Sequence, residues 1–409
     1  MDRDTRVRDL IVKDAADFVR RTGALVNAIL VTGDIAFKAS AEEFSIASLW
    51  LKKLAKEVGA DIENVYVVPG NHDINRNTGD KFNVKAVRNE ILKNNGEARV
   101  GSFLTALSDQ EASAALMEPF LSYNEFSAQY DCNISPRKPY WQSAIPFCPR
   151  YKLILNGLTS TFFSGSNDAR ANLYMGEFQA NLHINDGEVN LAMFHHPYDW
   201  LEDGDDIDDY LSNRSQIRLV GHKHRQRVQP GDNGVLFSAA AVNPERGEHN
   251  YEPGYNILDL SVSEKDDFAI LSIAAHLRIL QGTPEVFLPK MKTANKDVWE
   301  YQFDIPLSSI VIEEKIAPLV EDKTESKEQL AEVDEVILNQ EGNNRRLVYR
   351  FWNIAESARR DIIGQLNLLT DDEKVLNRTD KYQIALTKVL KLNLKDKFIE
   401  LIEAAEGLK

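Results

Sequence analysis

Five side chains able to bind a divalent cation, Asp34, Asn71, His195, His222 and His224, each stand just beyond a short apolar run. Gly33-Asp34 follows Ile29-Leu30-Val31-Thr32, and Gly70-Asn71-His72-Asp73 follows Tyr66-Val67-Val68-Pro69. His195-His196-Pro197 follows Leu191-Ala192-Met193-Phe194, and Gly221-His222-Lys223-His224 follows Ile217-Arg218-Leu219-Val220. A carboxylate can bridge two cations, an asparagine offers a neutral carbonyl oxygen, and three imidazoles offer nitrogen. A mixed nitrogen and oxygen set with room for water suits Mn, Fe, Zn or Ni rather than calcium or a closed cysteine-zinc site. Two such ions, roughly 3.5–4 Å apart, can hold a phosphate and generate hydroxide between them at neutral pH.

Something must bring these distant residues together, and the hydrophobic pattern names it. Residues 6–22 and 41–58 carry apolar side chains at helical spacing, and the runs at 28–34 and 65–73 between and after them read as strands. Strand–helix–strand alternation at this spacing predicts a buried, largely parallel sheet flanked by helices. Residues 80–130 read as helical and peripheral. Strands follow at 151–158, 183–197 (with a tight turn at Asn185-Asp186-Gly187), 217–224 and 234–242, and a closing pair at 254–263 and 268–277. In an open α/β sheet the carboxyl ends of the strands line the crevice where ligands bind, and all four punctuated runs end there.

These motifs resemble those of the calcineurin-like metallophosphoesterase superfamily. Its elements run Asp-x-His, Gly-Asp, Gly-Asn-His-Asp/Glu, His, and Gly-His-x-His, and four of the five stand here in order over residues 33–224. The resemblance implies a four-layer α/β/β/α sandwich. It implies that Asp34 bridges two metals, that Asn71, His195 and His222 complete one ion's shell, and that His224 belongs to the other. It also implies that His72, with Asp73 behind it, is the general acid at the leaving-group oxygen, and that a metal-bridging hydroxide attacks phosphorus. The implied activity is that of a phosphodiesterase or phosphatase, with a nuclease as the alternative within the superfamily.

The first element is missing: no histidine precedes His72, and the chain opens on a helix. The ion of His224 then keeps only Asp34 and His224 plus water, so one bound metal and weak or absent turnover are expected. The favoured explanation is a coding start upstream that carries the missing strand. The rival is a natural single-metal or non-catalytic binding and scaffold protein.

Taken singly, each motif has an ordinary reading, such as a strand-to-loop turn or a pair of surface histidines; the ordered set carries the weight. His196 reads as a ring outside the ligand set, His249 as a plain loop residue, and His183 and His276 as strand residues. The acidic run Glu202, Asp203, Asp205, Asp206, Asp208 and Asp209 reads as a solvated loop and helix start. Arg137, Lys138, Arg150 and Arg170 are candidate phosphate contacts that nothing in the sequence ranks.

A net charge of −15 and a pI near 5.1 disfavour broad grip on long DNA or RNA, so a small phosphodiester or nucleotide is the expected substrate. Cys132 and Cys148 are too few for a disulfide framework, and no apolar stretch approaches the length of a membrane span. Cytoplasm is the expected compartment, with no membrane partner. At 409 residues the chain divides into an expected phosphoesterase domain (1–317), a linker and connecting helix (318–340) and an all-α domain (341–409). In the last, apolar residues recur at helical spacing and Thr370-Asp371-Asp372-Glu373 reads as a capped helix start. This tail is similar to the death-fold-like effector-associated adaptor modules of bacterial conflict and antiviral systems. That likeness implies a protein partner bearing a similar module; the plain alternative is a helical cap or dimer surface.

Overall fold

A computed structural model describes residues 3–242, 253–308 and 344–407 of the chain. Helix α1 (Arg3–Thr22) precedes strand β1 (Ile29–Val31), and helix α2 (Ala41–Val58) joins it to the parallel strand β2 (Val65–Val67). Helix α2 starts where it does because the Ser40 hydroxyl and Glu43 form a capping box, and it stops at Gly59, whose φ of 72° is left-handed.

Strands β3 (Trp141–Cys148), β4 (Tyr151–Gly157), β5 (Glu188–Phe194), β6 (Ile217–Val220), β7 (Arg227–Pro230) and β8 (Val235–Ser238) form a six-stranded sheet ordered β3-β4-β5-β6-β8-β7. Its centre, β4 through β8, is parallel. A second, antiparallel sheet contains β9 (Gly254–Glu264), β10 (Ala269–Gly282), β11 (Glu285–Pro289) and β12 (Val298–Ile305), with β10 paired to each of the other three. The expected closing pair is thus β9 and β10.

Alternation along β5 and β6 explains the layering. Leu191, Met193, Ile217 and Leu219 face a core shared with Val65, Val67, Leu271 and Ile273 of the other strands. Their neighbours Ala192, Phe194 and Val220 face outward, onto Ile207 and Leu211 of the helix Gly204–Arg214. On the opposite side, Val12 and Ala15 of α1 pack with Leu54 and Val58 of α2 and reach Ile29. Helices, sheet, sheet and helix therefore stack in four layers, as expected. Strands β5, β6 and β8 are buried on both faces, which is why they read as continuous apolar runs.

Between β2 and β3 lies a helical block whose own core includes Phe103, Phe120 and Phe162. The Asn185-Asp186-Gly187 turn leads into β5 but joins no second strand, and His183 lies outside any strand. The C-terminal unit runs through a helix at 344–353 and the helices Glu356–Gln365, Asp371–Lys374, Arg378–Lys391 and Lys395–Gly407. Thr370 and Glu373 form the anticipated capping box. The boundary near 318 and the linker 318–340 lie outside the described residues, as does His249.

Candidate metal centre

The ends of β1, β2, β5 and β6 deliver Asp34, Asn71, His195 and His222 to one place. Around His195 Nε2 stand Asn71 Oδ1 at 3.2 Å, Asp34 Oδ2 at 3.3 Å and His222 Nδ1 at 3.3 Å. Donor atoms bound to one ion at about 2.1 Å lie roughly 3.0–3.4 Å apart when adjacent in the coordination shell, so these spacings fit a shared cation. The His195 tautomer agrees. Its Nδ1 lies 2.8 Å from the Thr32 carbonyl, which can only accept, so Nδ1 carries the proton and the Nε2 lone pair faces the others. A backbone carbonyl on the far nitrogen is the usual device for orienting a metal-binding imidazole.

Electrostatics show what the site favours. His195 is buried, which by itself would disfavour its charged form, yet Asp34 raises its pKa above the ordinary imidazole value. Burial would likewise raise the Asp34 carboxyl, but His195 and then His72 hold it well below the usual range. Two oxygens and a nitrogen converge on Nε2, so the spot demands positive charge, from a proton or from a metal ion. His222 is pushed down to about 3 by burial and then by His195, and so presents a neutral ring.

Backbone strain marks the same residues. Asp34, His222 and His224 have φ of 56°, 66° and 51°, a left-handed region that non-glycine residues seldom occupy. Such conformations persist where surrounding structure enforces them, commonly at functional sites. Close approach also explains Gly70: a Cβ there would lie 2.2 Å from Asp34 Oδ1 and 2.3 Å from its amide nitrogen. Gly70→Ala is therefore expected to displace Asp34 and lower metal affinity by at least tenfold, although residue 70 supplies no ligand. Metal titration against a competing chelator checks this, and wild-type affinity in the variant would contradict it.

His72 stacks on Phe37, with ring centroids 5.0 Å apart, and its Nδ1 lies 3.0 Å from the Phe37 carbonyl. Nδ1 thus donates to that carbonyl and Nε2 is left available. Asp73 was expected behind His72, but its carboxylate turns away, accepting from the Ala36 amide at 2.7 Å and the Gly70 amide at 2.8 Å. It ties the two ligand-bearing loops together, and the position behind His72 belongs to a main-chain carbonyl. Burial and then Asp34 push the Asp73 carboxyl up to about 7. His224 follows two residues after His222 at the same turn, near enough to disfavour charge on His222, but it stands outside the histidine cluster.

Other candidates separate. Lys138 pairs with Asp131, and Arg150 with Glu264. Arg137 is exposed. Arg170 lies 3.5 Å from Asp199, which also holds Lys223, the residue between His222 and His224, at 2.6 Å. Arg76, not singled out in the sequence, brings its guanidinium to 3.4 Å from His72 Nδ1. Within the acidic run, Glu202 pairs with Arg99 and Asp208 with Arg218. Asp203 is buried, contrary to the expected solvated loop, and accepts from the Met175 and Gly176 amides. Trp200 meets His222 edge-on at 4.0 Å between ring centroids.

Comparison with known families agrees with this geometry. The calcineurin-like phosphoesterase family matches residues 10–226, more than half of the chain. The chain belongs to the calcineurin-like phosphoesterase family. The match closes two residues beyond His224, so it spans every motif above. Phosphoesterases of this family are metal-dependent hydrolases of phosphate esters. The GTPase-associated adaptor domain matches residues 343–404, the C-terminal helical unit, and so supports the adaptor resemblance. No curated protein matches the chain. Among the described residues, no helix is long and apolar enough to cross a membrane.

Proposed function

We propose that the chain is a metal-dependent phosphoric ester hydrolase, a phosphodiesterase or phosphatase, whose helical tail recruits it to a protein partner. The observation that carries this reading is the convergence of Asp34, Asn71 and His222 on the Nε2 of an imidazole oriented by the Thr32 carbonyl. Asp34, Asn71, His195 and His222 would hold the first ion, and Asp34 and His224 a second. Bound there, divalent ions such as Mn, Fe, Zn or Ni supply Lewis acidity toward a phosphoryl oxygen and acidify water.

The chain's own part is positioning and proton transfer. Asp34 fixes the 70–73 loop as well as a cation, because its Oδ1 accepts from the His72 amide at 3.1 Å. His72, its ring held by Phe37 and protonated at both nitrogens, gives its Nε2 proton to the leaving oxygen. Arg76 and Lys223 bring positive charge to the rim, suited to one or two phosphates of a small ester.

The domain division is 1–317, 318–340 and 341–409, with catalysis confined to the first unit. The adaptor match supports a partner that carries a like module or accompanies a GTPase; the setting we infer is a cytoplasmic bacterial defence system.

Hydrolysis of an aryl phosphodiester with added manganese tests the reading. His72→Ala is expected to lower kcat by roughly 10²–10⁴ while metal content stays at the wild-type level. Equal rates in wild type, His72→Ala and Asp34→Ala would remove catalysis from this site.

A further inference from the structure

His196 is the one histidine of the cluster that neither the motifs nor the family pattern uses. Its side chain is fully buried, beside His195 and His222, with ring centroids 4.8 and 4.7 Å away. The His196 amide donates to Ser160 Oγ at 3.0 Å. Its Nδ1 lies 3.1 Å from Ser160 Oγ and 3.3 Å from the Ser160 carbonyl. With the proton on Nδ1, His196 donates to the Ser160 carbonyl as His195 donates to that of Thr32. The lone pair then sits on Nε2, which is buried with no hydrogen-bond partner among the described residues. A buried acceptor left without a partner is costly, and a bound cation would satisfy it.

The candidate ligand atoms of His195, His196 and His222 all lie within 4.8 Å of one another. An ion with bonds of about 2.1 Å spans about 4.2 Å between opposite ligands, so a shift of a few tenths of an ångström brings all three into one shell. Ser160 stands to His196 as Thr32 stands to His195: each orients a ring by its proton-bearing nitrogen.

We propose that His196 is a further ligand of the first ion, so that this centre holds one metal through the three imidazoles of His195, His196 and His222 together with Asp34 and Asn71. The proposal rests on the metal-centre reading above and deepens it. An additional imidazole gives the first ion a shell of three nitrogens and two oxygens. The metal class narrows to ions that favour nitrogen-rich shells, such as Zn, Fe or Ni, over Mn.

Full-length protein is stripped with chelator and titrated with Co(II) or Zn(II), with metal counted per chain and affinity measured by competition. Wild type is expected to take up one ion tightly, and His196→Gln to bind at least tenfold more weakly with an altered Co(II) visible spectrum. Melting temperature is read with chelator and with metal, so the metal-induced shift separates lost ligation from a general loss of packing. Should His196→Gln fail to fold, wild type with one equivalent of Co(II) still decides: proton NMR shows three hyperfine-shifted imidazole N–H signals if His196 ligates and two if it does not. Unchanged affinity and spectrum in His196→Gln, or two signals, overturns the proposal while leaving the centre intact. Retention of metal by Asp34→Ala and His222→Ala as well would instead overturn the centre itself.

Discussion

Asp34→Ala is expected to abolish hydrolysis and to lower metal affinity by more than 100-fold, with little change in the stability of the metal-free protein. The first effect follows from position. One oxygen of Asp34 lies 3.3 Å from His195 Nε2 in the converging shell, and the other accepts the His72 amide. Removing a group that only supports a ligand costs roughly 10–100-fold in affinity, so loss of a ligand that also anchors the neighbouring loop costs more. The second effect follows from opposing charges. Without metal, the variant loses the attraction between Asp34 and His195, and it also loses the repulsion by which Asp34 helps push Asp73 up to about 7. These changes oppose each other, so the net shift in chelator is expected within about 1 kcal/mol. Metal content, aryl phosphodiester turnover and melting in chelator check the three parts. A variant that keeps its metal contradicts the ligand assignment, and one that collapses without metal shows Asp34 to be a folding residue.

The converging positions Asp34, Asn71, His195 and His222 were legible because they sit where two codes coincide. An apolar run ending in Gly-Asp or Gly-His announces a buried strand and its exit, and the exit of a parallel strand is where a crevice forms. What surrounds the ligands was far less legible. The Thr32 carbonyl that orients His195 and the Phe37 carbonyl that holds His72 are main-chain atoms, and no residue type advertises them. Asp73 follows His72 directly, which suggested a partner for the ring, but the tight 70–73 turn sends its carboxylate to the Ala36 and Gly70 amides instead. Trp200 could have been noticed, four residues after His196 on a short loop, but sequence alone does not fold that loop back onto His222. Strands β11 and β12 went unread for a related reason. Their apolar residues are interleaved with exposed charges such as Glu300 and Asp304, and only pairing with β10 makes them strands. Long-range placement is likewise absent from local pattern, and the seat of the C-terminal unit is the chief instance.

Arg345→Ala is expected to lower stability by ~3–5 kcal/mol, the cost of leaving buried carbonyl acceptors without their donor, and to free the adaptor from the phosphoesterase body, while metal binding changes less than about threefold. Arg345 opens the first helix of the adaptor, yet its guanidinium lies in the other domain. Nε donates to the Glu63 carbonyl at 3.0 Å, and Nη2 donates to those of Val65 at 3.0 Å and Tyr130 at 2.6 Å. The same group lies 4.0 Å from the centroid of the Tyr66 ring. Nearby, Lys52 meets Asn353 at 2.9 Å, and Ala128 is buried in the adaptor's own core. Alanine leaves three carbonyls without their donor in a site where Arg345 is only 8% exposed. Lysine is a poor substitute, because one ammonium cannot match a planar fork spread over three acceptors. The metal centre is spared because Val65 begins β2 whereas Asn71 lies beyond its end, and Asp73 ties the ligand loop to Ala36 independently of the adaptor. Thermal unfolding and limited proteolysis read the first two effects, and chelator competition reads the third. Wild-type melting and an uncleaved chain would show that the adaptor is held by its apolar contacts alone; a parallel fall in metal affinity would show instead that adaptor docking is transmitted along β2 to Asn71.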